Sequence, residues 1–267
     1  MQHEAFYRRH GEQFIPNPMS AGPWKADSLM GRVVVGLLGH VIGERHLKPG
    51  YVPARMTVEL HSLPDFSPVT IQTRVIREGG RITIVEAEYI SGTRSVAMVR
   101  CQLLRQTEPP AGRVWVPQDW DAPAPDDVPV PERYANWKWD LRPFAGTVGH
   151  FGPKRAWLRD YRQLVEGVSH TPFSRMALAT DFVSPFSHVG DEGAGYINTD
   201  VSLYLHRLPV EEWIGFEVED HQASAGIAVG HCRIYDQQGP IGFGSAAALA
   251  QRRAQIDNPL AGGSAGS

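Results

Sequence analysis

Cysteine is scarce. Cys101 and Cys232, the two in 267 residues, are too few for a disulfide framework or a cysteine-built metal centre, and both sit in strand-like segments as small buried apolar residues would. Long hydrophobic runs are missing too. The longest, 33–38 and 246–250, fall far short of the ~20 apolar residues that cross a bilayer, so no membrane partner is expected. The start Met1-Gln2-His3-Glu4 has no basic stretch followed by an apolar core, which predicts no secretory signal and a cytoplasmic location. Charge of one sign does not dominate: 26 Lys and Arg stand against 29 Asp and Glu, and a net charge of -3 gives no electrostatic pull toward nucleic acid. The eleven histidines show no zinc-binding spacing, and no G-x-S-x-G marks a serine nucleophile. Gly242-Phe243-Gly244-Ser245-Ala246-Ala247 has the form G-x-G-x-x-A. It closes a run of strands instead of opening a helix in a βαβ unit, so a dinucleotide site is not expected, nor any other cofactor.

What the chain does contain is itself, twice. Residues 55–100 lie over 200–245 without a gap at an offset of 145: Val58 meets Leu203, Leu63-Pro64 meets Leu208-Pro209, Ile71 meets Phe216, Ile84 meets Val229 and Met98 meets Phe243. The unit is too long for a solenoid repeat and describes a small domain copied once. Within each copy the apolar period is two, as in Val58 and Leu60 or Ile82 and Ile84, and Gly79-Gly80 and Ser91-Gly92 divide the runs at hairpin length. Each copy therefore predicts an antiparallel meander.

Ahead of each meander stands a segment of helical spacing, 28–43 and 174–186. The first is apolar nearly all round and is expected to be buried on every side by a curved sheet, an α+β arrangement. Between the copies, seven prolines fall between Pro109 and Pro131, and acids gather at Asp119, Asp121, Asp126 and Asp127. This composition predicts a strap without helix or strand, tied down by Trp115, Trp120, Trp137 and Trp139. The expected organisation is an N-terminal domain over 1–106, the strap over 107–150, a C-terminal domain over 151–253 and a disordered tail over 254–267.

The order helix, meander, strap, helix, meander resembles the double hot-dog proteins of the acyl-CoA thioesterase II type. The residues that carry the likeness are Gly31-Arg32-Val33-Val34-Val35-Gly36, Thr57-Val58-Glu59-Leu60-His61, Ala177-Leu178-Ala179-Thr180-Asp181-Phe182, Asp200 through His206-Arg207, and Glu212-Trp213. The resemblance implies a tandem hot-dog fold acting in fatty acid metabolism, a dimer or higher oligomer, and an acyl-CoA substrate. It also implies that Asp181 activates the water that attacks the thioester. The offset adds an observation of its own: Asp181 falls on Gly36, so the acid is present in one copy only. The family's threonine falls on Asn198, with Thr199 beside it, and its glutamine falls near Ala247. The resemblance places the acyl chain beside the buried helix at Val33, Leu37 and Phe182, with tryptophans of the strap against it, and the phosphates of coenzyme A near His61, Arg77, Arg81, His206 or Arg207. His40, one turn beyond Gly36, is expected to face the Asp181 cleft, which leaves open an enoyl-CoA hydratase using histidine. A binder of acyl-CoA without catalysis is a third reading.

Overall fold

The computed structural model describes residues 3–25, 27–116, 120–135 and 137–251; Asp119 and the tail over 254–267 lie outside them. In chain order the elements are β1 (Tyr7–His10), β2 (Gln13–Pro16), α1 (Gly31–His46), β3 (Tyr51–Leu60), β4 (Val69–Glu78), β5 (Ile82–Ser91) and β6 (Arg94–Arg105). There follow β7 (Asp140–Ala145), β8 (Arg155–Arg159), α2 (Pro172–Thr180), α3 (Val183–His188), β9 (Tyr196–Asn198), β10 (Asp200–Leu205), β11 (Ile214–Ser224), β12 (Ile227–Asp236) and β13 (Gly239–Ala250).

Among the described residues the strands form one antiparallel sheet. Its order is β1-β2-β4-β5-β6-β3-β10-β13-β12-β11-β8-β7, with β9 on β13. The order β4-β5-β6-β3 is mirrored by β10-β13-β12-β11, so the two copies meet where β3 pairs with β10. In that pairing Thr57 stands opposite Ser202, the residue 145 positions on, and Ser202 Oγ donates to Thr57 Oγ1 at 3.1 Å. The register of the duplication is thus the register of the seam.

Helix α1 contains Val33, Val34 and Val35, which favour strands, and it has no side-chain cap at Met30. Burial makes it a helix: every residue from Arg32 to Ile42 is buried, against β3 to β6 on one side and α2 on another. The contact with α2 is close because α1 is glycine-rich there. A Cβ on Gly36 would meet Leu178 Cδ1 at 2.9 Å, and one on Gly39 would overlap Ala177 Cβ. Helix α2 starts at a capping box, where Thr171 accepts from the Ser174 backbone N–H and Ser174 accepts in return, with Pro172 following.

The structure corrects three expectations. The second helix is not continuous over 174–186: it ends at Thr180 and resumes at Val183. Pro185 is the physical reason, since its missing N–H and bulky ring act on the carbonyl four residues back, that of Asp181. The strap, expected to hold no strand, contributes β7 to the sheet edge against β8. Trp115 is 84% exposed and anchors nothing. The other tryptophans do anchor the strap. Trp120 stacks on Tyr235 at 3.9 Å and fills the space above Gly215, where any Cβ would collide with it. Trp137 and Trp139 pack on the main core. Trp120→Ala is expected to cost about 3 kcal/mol, read as a lower urea midpoint with unchanged slope. An unshifted midpoint would show the strap to be passive.

Candidate active site

The break imposed by Pro185 leaves Asp181 at the C-terminal end of α2, beside the N-terminal turn of α1. A Cβ on Gly31 would stand 2.8 Å from Asp181 Oδ2, so only glycine admits the carboxylate there. Asn198, the last residue of β9, donates from Nδ2 to Asp181 Oδ1 at 2.9 Å. Thr199 follows, its N–H donating to Ala247 O at 2.9 Å.

These groups share the wall of a cavity of about 340 Å³ whose remaining lining is largely apolar, including Trp24, Met30, Leu60, Trp139, Phe182 and Ile197. Such a vessel, apolar with a few convergent polar groups, suits a small organic ligand or acyl chain. Asp181 lies deep in the protein yet opens on this cavity. Burial raises its proton affinity above that of an ordinary carboxyl, while the Asn198 amide and then the Arg32 guanidinium act against that rise. A carboxyl held in that balance is a general-base candidate.

Of the residues singled out in the sequence, the structure brings together Asp181, Asn198, Thr199 and Phe182, with His61 also on the wall. Val33 and Leu37 are fully buried in the core and do not line the cavity; Leu29, Met30 and Val34 take that place. His40 is not in this cleft. It lies farther along α1, where Glu44, Arg9 and His170 are the charged groups that act on it, because α1 and α2 run antiparallel and its turn packs by the start of α2. Arg81 is exposed near the β4–β5 turn. Arg207 is held by Asp236 through two bonds of 2.6 and 2.7 Å, and His206 Nε2 lies 2.9 Å from Pro240 O. None of the three lines the cavity.

The pairing of Asp181 with Gly36 also fails. Tyr196 of β9 follows Tyr51 of β3 by 145 residues, but α2 starts 141 residues after α1 and α3 ends 142 after it, so the strand offset does not extend into the helices. Opposite Asn198 on β13 stands Ala248, not Ala247, and both are too small to supply an amide to the water site. Sequence reasoning missed Arg32, Trp24 and Tyr196 as cavity residues, while Trp139 of the strap is on the wall as expected. Only Arg32 left a signal, as the one formal charge in the apolar run 31–42.

Among solved structures, the acyl-CoA thioesterase II TesB2 of Mycobacterium marinum is similar over 91% of this chain and 94% of its own, at 16% identity and TM-score 0.64. The tesB protein of Mycobacterium avium subspecies paratuberculosis is similar over 92% and 96%, at 14% identity and TM-score 0.68. A hot dog fold protein from Alicyclobacillus acidocaldarius is similar over 93% and 96%, at 14% identity and TM-score 0.70. At these identities the likeness shows the double hot-dog fold. No curated protein sequence matches. Residues 113–245 match the family model of the acyl-CoA thioesterase C-terminal domain. Through residues 113–245 the chain is similar to the acyl-CoA thioesterase C-terminal domain, and the solved structures show the double hot-dog fold around it.

Proposed function

We propose that this protein hydrolyses a fatty acyl-CoA thioester with Asp181 as general base. The observation that supports the reading is the hydrogen bond from Asn198 to a carboxylate set in the wall of an apolar cavity. The acyl chain occupies the space between Trp24, Leu60, Trp139 and Phe182. A water held between Asp181 and the Asn198–Thr199 corner attacks the thioester carbon as Asp181 takes its proton. The carbonyl oxygen gains negative charge beside the first turn of α1, where no side chain caps the backbone N–H groups and the helix dipole favours an anion. The C–S bond then breaks, Asp181 returns the proton to the departing thiolate, and a carboxylic acid remains.

The test is release of free thiol from a panel of acyl-CoA esters. Asn198→Ala is expected to lower kcat about 10- to 100-fold with KM little changed, because it removes the donor that orients the base while leaving the apolar walls intact. Enoyl-CoA hydration is followed in the same panel by loss of enoyl absorbance. Tight binding without thiol release would replace this reading with a non-catalytic acyl-CoA binder.

A further inference from the structure

Arg32 is a buried cation with an unusual set of partners. It is 4% exposed, and so is Asp160, the residue it pairs with. Nη2 alone donates to both Asp160 oxygens, each at 2.7 Å, so the pair is not the usual two-nitrogen fork. The guanidinium lies over the Trp139 ring at 4.0 Å, while Nε and Nη1 are buried with no hydrogen-bond partner among the described residues. Leaving charged donors unpaired in the interior is costly, and such groups persist where their charge serves a site. Arg32 follows Gly31, the residue against which the Asp181 carboxylate rests, and both line the cavity.

We propose that Arg32 is a positioning residue of the cavity: clamped by Asp160 and Trp139, it supplies the positive field that keeps Asp181 a carboxylate when the cavity is dry. The N-terminal half of the chain thereby controls the charge of the acid carried by the C-terminal half. Among the described residues, the Asn198 hydrogen bond also favours the carboxylate, and more strongly, but Arg32 is the group that does so by charge. Asn198 and Thr199 from the β9–β10 corner and Ser184 from α3 are uncharged. His61, after β3, is turned to Glu59 at 3.6 Å, and Tyr196 of β9 lies on the same wall. Asp181 in turn acts on Arg32, beside the larger influence of Asp160.

The inference rests on the reading of Asp181 as the base, and its test does not need turnover. Difference infrared spectra against Asp181→Asn isolate the Asp181 carboxylate band, which is titrated in the absence of substrate. In Arg32→Gln/Asp160→Asn, which removes both charges and leaves two amides, the band is expected to titrate about one pH unit higher or more, a tenfold change in proton affinity. Asp160→Asn alone leaves the cation without its anion, and the band is expected to move lower. Arg32→Lys keeps the charge and is expected to titrate with the wild type. These opposed directions keep the test open if one variant does not fold. A band that titrates identically in the wild type and in either charge-altering variant overturns the proposal, as does a Lys variant displaced as far as the double one. Failure of the two readings is separable. A displaced band in a protein that releases no thiol keeps the charge control and removes the base. An undisplaced band beside thiol release that Asp181→Asn abolishes does the reverse.

Discussion

Asp181→Asn is expected to lower kcat for thiol release by about 10²- to 10⁴-fold, the range over which a positioned general base contributes. The substitution is isosteric, and the new amide oxygen still accepts from Asn198 Nδ2, so KM should change little. The stability of the variant carries a second, opposite expectation. Because burial raises the folded-state proton affinity of Asp181 above that of the unfolded chain, the folded state binds the proton more readily. Wild-type stability therefore falls as pH rises from the ordinary carboxyl value of 3.8 through the raised folded value, and it stays reduced above that. The neutral amide of the variant carries no such cost. Asp181→Asn should be at least as stable as wild type at pH 7, with the gap closing as pH falls toward 3.8, measured as urea midpoints at a series of pH values. The rate of thiol release in the wild type should fall over the same window on acidification, as the base becomes protonated. An unchanged kcat sinks the catalytic assignment. A variant markedly less stable at pH 7 would instead make the carboxylate a structural plug at the start of α1.

The second large effect concerns the seam between the two halves. Gly39→Ala would stabilise an isolated helix by about 1 kcal/mol. Here the new methyl overlaps Ala177 Cβ and reaches to 3.5 Å from Met56 Sδ, so α1 and α2 must separate along their whole contact. Interiors packed to crystal density do not absorb such a shift, and the expected result is a net destabilisation of about 1–3 kcal/mol. Gly80→Ala provides the contrast: a Cβ there meets nothing within 4 Å, and its effect should stay within about 0.5 kcal/mol of zero. Urea midpoints of the two variants decide the matter. Equal midpoints would mean that the helix pair is loosely packed and that its glycines have another cause.

The strands were legible because their signal is local and repeated. Alternation in β5 is read from Ile82, Ile84 and their neighbours, and the same pattern recurs in β12. The break that places Asp181 was also written in the sequence, at Pro185, but helical spacing on both sides of it suggested one continuous helix. Strand β7 was obscured for the opposite reason: the prolines before it argued against pairing, yet Leu141 reaches the sheet edge and is fully buried. Asn198 and Thr199 were found through the likeness of order and spacing, while Arg32 looked like one charge on a buried helix. Its meaning needs Asp160, 128 residues away in the chain.

The sequence alone determined that the protein is a duplication at an offset of 145 and that helical spacing precedes a meander in each copy; that Thr57 faces Ser202 across the seam is a fact of the structure. Periodicity and offset are properties of short stretches, so they can be read without a structure. Only the tertiary structure decided which end of the helix pair lines the cavity. Antiparallel packing of α1 on α2 carries Gly31 and Arg32 to Asp181 and takes His40 away from it. That choice depends on contacts between residues more than a hundred positions apart, for which no local pattern exists.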